Sequence, residues 1–184
     1  EKISFLIKNN SVDVIVFEDY DKGVITPELI LKVVIEASKK KIPVAVDPKK
    51  NNFHHYKNVT LFKPNLKEFG DGIKSDFNLA EKEILSKVSD ELRTKQGIEN
   101  ILITLSEKGM FIATKKMKQI IPAHIRNVAD VSGAGDTVVS IAALCLALKL
   151  DLVLMTELAN IAGGLVCEKV GVVPIDKELF LQES

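Results

Sequence analysis

Two hydrophobic rhythms alternate along this chain of 184 residues. Short β-branched and apolar runs occupy Asp13–Phe17, Pro43–Val46, Val59–Phe62 and Asn100–Leu105. Each is bounded by polar residues, proline or glycine, as expected of strands buried on both faces. Between them the apolar positions take helical spacing. Leu29–Lys40 follows Thr26 as N-cap and Pro27 at the first helical position. Asn78, with Glu81 in the capping-box position, predicts a helix running to about Gln96 and stopping at Gly97. A short helix is predicted over Asn65 to Phe69, since Pro64 forbids a helix from running through it.

The second half differs. Gly109–Thr114 and Gln119–Pro122 read as a hairpin turning at Lys115 to Lys118. Two apolar helices follow, one from Thr137 to Leu148 and one from about Leu152 to Lys169, where Gly171 marks a stop. Asp176 is placed to cap a last short helix. At the start, Ile3 and Phe5-Leu6-Ile7 read as the tail of a helix; with no methionine before Glu1, the chain is expected to be a fragment.

Strand–helix alternation of this kind implies an α/β fold with a mostly parallel sheet and helices on both faces. Ligands of such sheets sit beyond the carboxyl ends of the strands. There this chain collects its reactive side chains: Asp19 and Lys22, Asp47 and Lys49, Asn65 and Glu68, Thr104 and Ser106.

Composition narrows the partners. Lys plus Arg equals Asp plus Glu at 25 each, and the only basic runs are short ones such as Lys39-Lys40-Lys41, which read as solvated ends. A nucleic-acid surface is therefore excluded. The apolar run ending at Leu148 is about half of the ~20 residues a membrane span needs, so it is a core helix. Cys145 and Cys167 lie in apolar helices without a Cys or His partner, which suits buried thiols and a reducing cytoplasm. His54-His55 would diverge in any regular structure and His124 stands alone, so no histidine metal site is expected.

Asp130-Val-Ser-Gly-Ala-Gly-Asp136, leading straight into an apolar helix, is the most informative stretch. Gly133, Ala134 and Gly135 let the backbone turn tightly, and the helix N-terminus offers free N–H groups to negative charge. Asp136 is out of place in a passive phosphate loop, because it would repel the phosphate. A general base beside a phosphoryl group is the chemistry that uses it. A dinucleotide loop fits poorly: Val138 replaces the third glycine, and no Walker sequence occurs.

Other motifs carry two readings each. Asn65-Leu66-Lys67-Glu68 puts an amide and a carboxylate on one helical turn, able to hold Mg²⁺ through water, or simply to cap the helix. Thr104 to Gly109 offers hydroxyls and N–H groups to phosphate, or an ordinary approach to a hairpin. Lys22 and Lys49 suit an anionic substrate, or solvent.

Together these residues resemble the PfkB, ribokinase-like carbohydrate kinases. Asp130–Asp136 matches that family's Asp-x-x-Gly-Ala-Gly-Asp signature completely. Asn65 and Glu68 resemble its Mg²⁺ and phosphate motif, Thr104 to Gly109 its phosphate-contacting strand end, and Asn160 lies in the helix that lines the adenine pocket. Asp19 to Gly23, Asp47 to Lys49 and Leu61 to Glu68 look most like the heptose 7-phosphate kinases of lipopolysaccharide-core synthesis. The resemblance implies a three-layer αβα fold, with residues 1–184 as its C-terminal, nucleotide-binding portion, incomplete because the family's first strands and small β-lid are absent from this chain. It implies ATP and Mg²⁺ as cofactors, an anionic sugar as substrate, Asp136 as base with the backbone of Gly133, Ala134 and Gly135 facing the transferred phosphoryl group, and ATP held by Asn65, Leu66, Lys67, Glu68, Thr104, Ser106, Gly109 and Asn160. Asp19, Lys22 and Lys49 are the candidates for sugar phosphate. A nucleotidyltransferase domain, fused or separate, and a homo-oligomer are both compatible with it.

Overall fold

The computed structural model describes residues 2–9, 12–75, 78–79 and 81–184. In chain order the elements are α1 (Lys2–Lys8), β1 (Ile15–Glu18), α2 (Pro27–Lys40), β2 (Val44–Asp47), β3 (Leu61–Phe62), α3 (Leu66–Ile73), α4 (Lys82–Gln96), β4 (Asn100–Thr104), β5 (Met110–Ala113), β6 (Lys118–Ile121), α5 (Ala134–Ala147), α6 (Leu152–Cys167) and α7 (Lys177–Glu183). The sheet runs in sequence order from β1 to β6. The first four strands are parallel, and the β5–β6 hairpin closes the other edge antiparallel.

Strand alternation sorts the side chains into two cores. Val44, Val46, Phe62, Ile101, Ile103 and Phe111 face the layer made by α2, α3 and α4, while Ala45, Leu61, Leu102 and Ile112 face α5 and α6. Every parallel crossover returns on the same side of the sheet, because consistent right-handed connections between sequential neighbours allow only that. The opposite face is left to α5 and α6, whose near-continuous apolar sequence suits burial between sheet and partner helix. Gly163 makes their close contact feasible: a Cβ there would lie 2.8 Å from Val138 Cγ2.

The predicted elements are all present, with shifted ends. β3 is only two residues long, α3 continues to Ile73 and α6 stops at Cys167. Thr26 caps α2 as expected, accepting from Leu29 N at 3.2 Å. Asn78 does not cap α4. That helix has Glu81 at its N-cap, and the Asn78 amide donates instead to Glu81 Oε1 at 3.1 Å. Among the described residues no helix is long and apolar enough to cross a membrane.

Candidate active site

The glycine turn is built by its own aspartate. Asp130 Oδ1 accepts from Ser132 N at 3.0 Å and from Ser132 Oγ at 2.8 Å, and Oδ2 accepts from Gly171 N at 2.9 Å. These donors hold the Asp130 carboxyl below its ordinary range, the backbone bond from Ser132 leading. Ala129 N and Asp130 N both bond Cys167 O, tying the turn to the end of α6. Gly133 sits at the N-cap of α5 with φ +77°, in left-handed space, and α5 begins at once. The turn thus aims the N-terminus of α5, and Asp136 in its first turn, at the carboxyl ends of the parallel strands. Ala134 N is partly engaged by Val131 O at 3.3 Å, so the helix-end N–H groups most open to an anion are those of Gly135 and Asp136.

What meets Asp136 there is a knot of charge. Glu18 and Asp47 are register partners at the ends of β1 and β2. Oxygens of Glu18, Asp47 and Asp136 lie within 4.8 Å of one another. Lys63, almost wholly buried, puts Nζ 3.2 Å from Asp47 Oδ2. Lys49 bridges Asp47 Oδ1 at 3.3 Å and Glu68 Oε1 at 2.6 Å. Three clustered carboxylates beside so few cations favour one bound proton. The Glu18 carboxyl is pushed up to about 8, first by burial and then by the charge of Asp47. For Lys49, burial alone would lower the ammonium, but the hydrogen bond to Glu68 and the charge of Asp47 outweigh it and hold the group above its usual value.

Beside this knot opens a cleft of about 510 Å³. Of the residues singled out from sequence, Lys49, Asn65, Glu68, Thr104, Ser106, Gly109, Ala134, Gly135, Asp136 and Asn160 line it. Asn65 and Glu68 form a complete capping box, Asn65 Oδ1 accepting from Glu68 N at 2.8 Å and Glu68 Oε2 accepting from Asn65 N at 2.9 Å. The structural reading of that motif therefore holds, and the carboxylate still faces the cleft. Gly109, at φ +92°, is demanded by the hairpin: a Cβ there would lie 2.0 Å from Ile121 O. Asn160 is buried and donates to Pro122 O at 2.7 Å, fixing α6 to the end of β6.

Five other candidates lie elsewhere. Leu66 packs on the α2–α4 core, Lys67 is exposed, and Gly133 turns the backbone behind the cleft wall. Asp19 is a buried anchor, its oxygens taken by Asn52 Nδ2 at 2.9 Å, Tyr56 OH at 2.7 Å and Asp21 N at 2.9 Å. Lys22 is exposed on a second depression of about 410 Å³, which Asp19 also lines, together with Glu18, Tyr20, Val24 and Ile25.

Sequence reasoning gave no individual role to Glu18, Tyr20 or Lys63, although the last two lie in motifs that carry the resemblance. Tyr20 OH donates to Asp136 Oδ2 at 2.8 Å, across a separation of 116 residues. Lys63 could have been suspected from its place beside Asn65, but only folding shows that its ammonium turns back to Asp47. The apolar wall of the cleft, with Met110, Val128 and Val131, carried no signal because its members come from separate segments.

Comparison with known proteins places this geometry. A model of the "pfkB family carbohydrate kinase" domain matches residues 11–178. The chain belongs to that family. The "Bifunctional protein HldE" of Koribacter versatilis is 38% identical over 166 residues, covering 90% of this chain and 34% of that protein. Its namesake from Campylobacter jejuni subsp. jejuni serotype O:2 is 39% identical over 161 residues, covering 88% and 34%. The chain thus spans about a third of the length of these curated relatives. Among solved structures, a mutant of phosphofructokinase-2 from Escherichia coli superposes with a TM-score of 0.84 at 16% identity, over 98% of this chain and 59% of that one. Arabidopsis thaliana ribokinase, solved with ribose and ATP, gives 0.79 at 18% identity over 99% and 58%. At such identities these two establish the ribokinase-like fold.

Proposed function

We propose that residues 1–184 form the C-terminal, nucleotide-binding portion of an ATP-dependent carbohydrate kinase in which Asp136 is the general base. The carrying observation is the position of Asp136, which lines the 510 Å³ cleft and accepts a hydrogen bond from Tyr20 on the rim of the second depression. A base on that border can serve a phosphoryl donor on one side and an acceptor hydroxyl on the other.

ATP lies in the cleft, adenine towards Asn160 and the apolar wall, phosphates towards Asn65, Thr104, Ser106 and the N-terminus of α5. The glycines leave room for it, and the helix N–H groups of Gly135 and Asp136 face the charge that builds on the transferred phosphoryl group. Mg²⁺ fits the cleft through Glu68: each of its oxygens accepts one hydrogen bond and keeps a lone pair for a water of the metal's shell. When bound, the metal supplies charge neutralisation to the phosphates. Asp136 takes the proton of the acceptor hydroxyl. Lys22, on the second depression, and Lys49, on the wall of the cleft, are the cations available to a phosphorylated sugar.

The motifs shared with heptose 7-phosphate kinases favour D-glycero-β-D-manno-heptose 7-phosphate as acceptor, phosphorylated at the anomeric hydroxyl for ADP-heptose synthesis. The test is ADP release by the full-length protein with this sugar, ribose, fructose 1-phosphate and a nucleoside. Asp136→Asn should cut turnover by ~10²–10⁴-fold with ATP binding nearly intact. Undiminished turnover in that variant overturns the role of Asp136, and preference for another sugar overturns the heptose assignment.

A further inference from the structure

The loop that follows β1 is built to present one side chain. Asp19, buried beneath it, is held by Asn52, Tyr56 and the Asp21 backbone N–H. Asp21 in turn accepts from Asn51 N at 3.3 Å and takes left-handed backbone geometry, φ +53°. Between these two anchors Tyr20 projects outward, 56% exposed. Its ring is therefore not placed by core packing. What it does meet is Asp136 Oδ2, at 2.8 Å. Among the described residues no other hydrogen bond reaches that carboxylate, so Oδ1 has no donor of its own.

We propose that Tyr20 is the positioning residue of the base: its hydroxyl holds Asp136 Oδ2, fixing the carboxylate plane so that Oδ1 receives the acceptor's proton. The inference rests on the kinase reading above. In the reaction the acceptor O–H bond breaks with its proton passing to Asp136 Oδ1, a bond forms from the acceptor oxygen to the γ-phosphorus, and the bond from the γ-phosphorus to the bridging oxygen breaks, releasing ADP. Tyr20 keeps its own proton throughout. The hydrogen bond to Asp136 pushes the phenol up to about 12, so it remains a donor wherever such an enzyme works. A free carboxylate rotates about its own bond, and a fixed one does not. Orientation of that kind is worth a substantial part of a barrier.

The experiment uses full-length protein and four forms: wild type, Tyr20→Phe, Asp136→Asn and the double variant. Tyr20→Phe should lower kcat by ~10–100-fold, the scale of one hydrogen bond to a charged group, with KM for ATP and the melting temperature unchanged. The double variant should be no slower than Asp136→Asn alone, because Tyr20 acts through Asp136. Wild-type kcat in Tyr20→Phe, with Asp136→Asn impaired, overturns the proposal and leaves the kinase reading standing. Additive losses in the double variant also overturn it. Full turnover by Asp136→Asn removes both.

Discussion

Lys63 Nζ lies 3.2 Å from Asp47 Oδ2, with both side chains almost entirely out of solvent. A Cβ on Gly135 would sit 3.3 Å from the same nitrogen, so this ion pair lies directly against the turn that presents Asp136. Its chief role is to offset the carboxylates gathered there. Lys63→Met leaves Asp47 with only its partly exposed Lys49 partner, so it should cost about 2–3 kcal/mol at neutral pH, less than the penalty for a buried charge with no partner. Removing both partners, as Lys63→Met with Asp47→Leu, should cost less than the single change. Denaturant unfolding of the two variants checks the order, and a single variant within about 1 kcal/mol of wild type would contradict the charge balance.

Glu18 gives a pH dependence with a definite sign. Its carboxyl titrates near 8 in the folded protein against an ordinary value of 4.5. Between those values the folded chain holds a proton that the unfolded chain has lost, so this group's contribution falls as pH rises through that window and is flat above it. Glu18→Gln cannot ionise. It should gain stability relative to wild type by about 1–2 kcal/mol between the two ends of the window, a figure reduced for the group's partial exposure. Unfolding at about pH 4.5 and about pH 8.5 measures it, and an equal effect at both contradicts the prediction.

Gly109 answers for the fold before it answers for a nucleotide. With φ +92° and carbonyl and amide atoms 2.0 and 2.5 Å from where a Cβ would stand, Gly109→Ala should lose about 3 kcal/mol. Exposed Ser106, three residues earlier, should tolerate alanine within about 0.5 kcal/mol. Thermal unfolding of both variants separates them. Equal losses would mean that the hairpin yields where the structure shows no room.

Asn65 has two roles that one substitution can split. Asn65→Ala should lose about 1 kcal/mol through the cap, while Asn65→Asp should keep the cap within a few tenths. The aspartate adds negative charge where phosphate is proposed to lie, so calorimetric ATP affinity of the full-length protein should fall in Asn65→Asp although stability does not. Unchanged affinity would take Asn65 out of the phosphate site.

The sequence by itself determined the elements and their order, and with them the family. Periodicity separates β1 from α2, Thr26 and Pro27 mark where α2 starts, and the seven residues from Asp130 to Asp136 form a motif because their roles are local: a turn, a helix start and a carboxylate in its first turn. Local interactions are legible because they depend on neighbours in the chain. Asn65 and Glu68 belong to the same class, three residues apart, and their capping box could be read from spacing. The fate of Asp19 could not. It looks like any acid at a strand end, and only the approach of Asn52 and Tyr56 makes it a buried anchor, with the Tyr56 phenol raised by burial and then by its bond to Asp19. In the same way Glu18, Asp47, Lys63 and Asp136 are 118 residues apart at their extremes and carry ordinary side chains. The raised Glu18 carboxyl and the link from Asp136 to Tyr20 arise only when parallel strands bring their carboxyl ends together beneath α5. Charge interactions of that kind depend on distances of a few ångströms, and those distances are set by the packing of the sheet against α5 and α6.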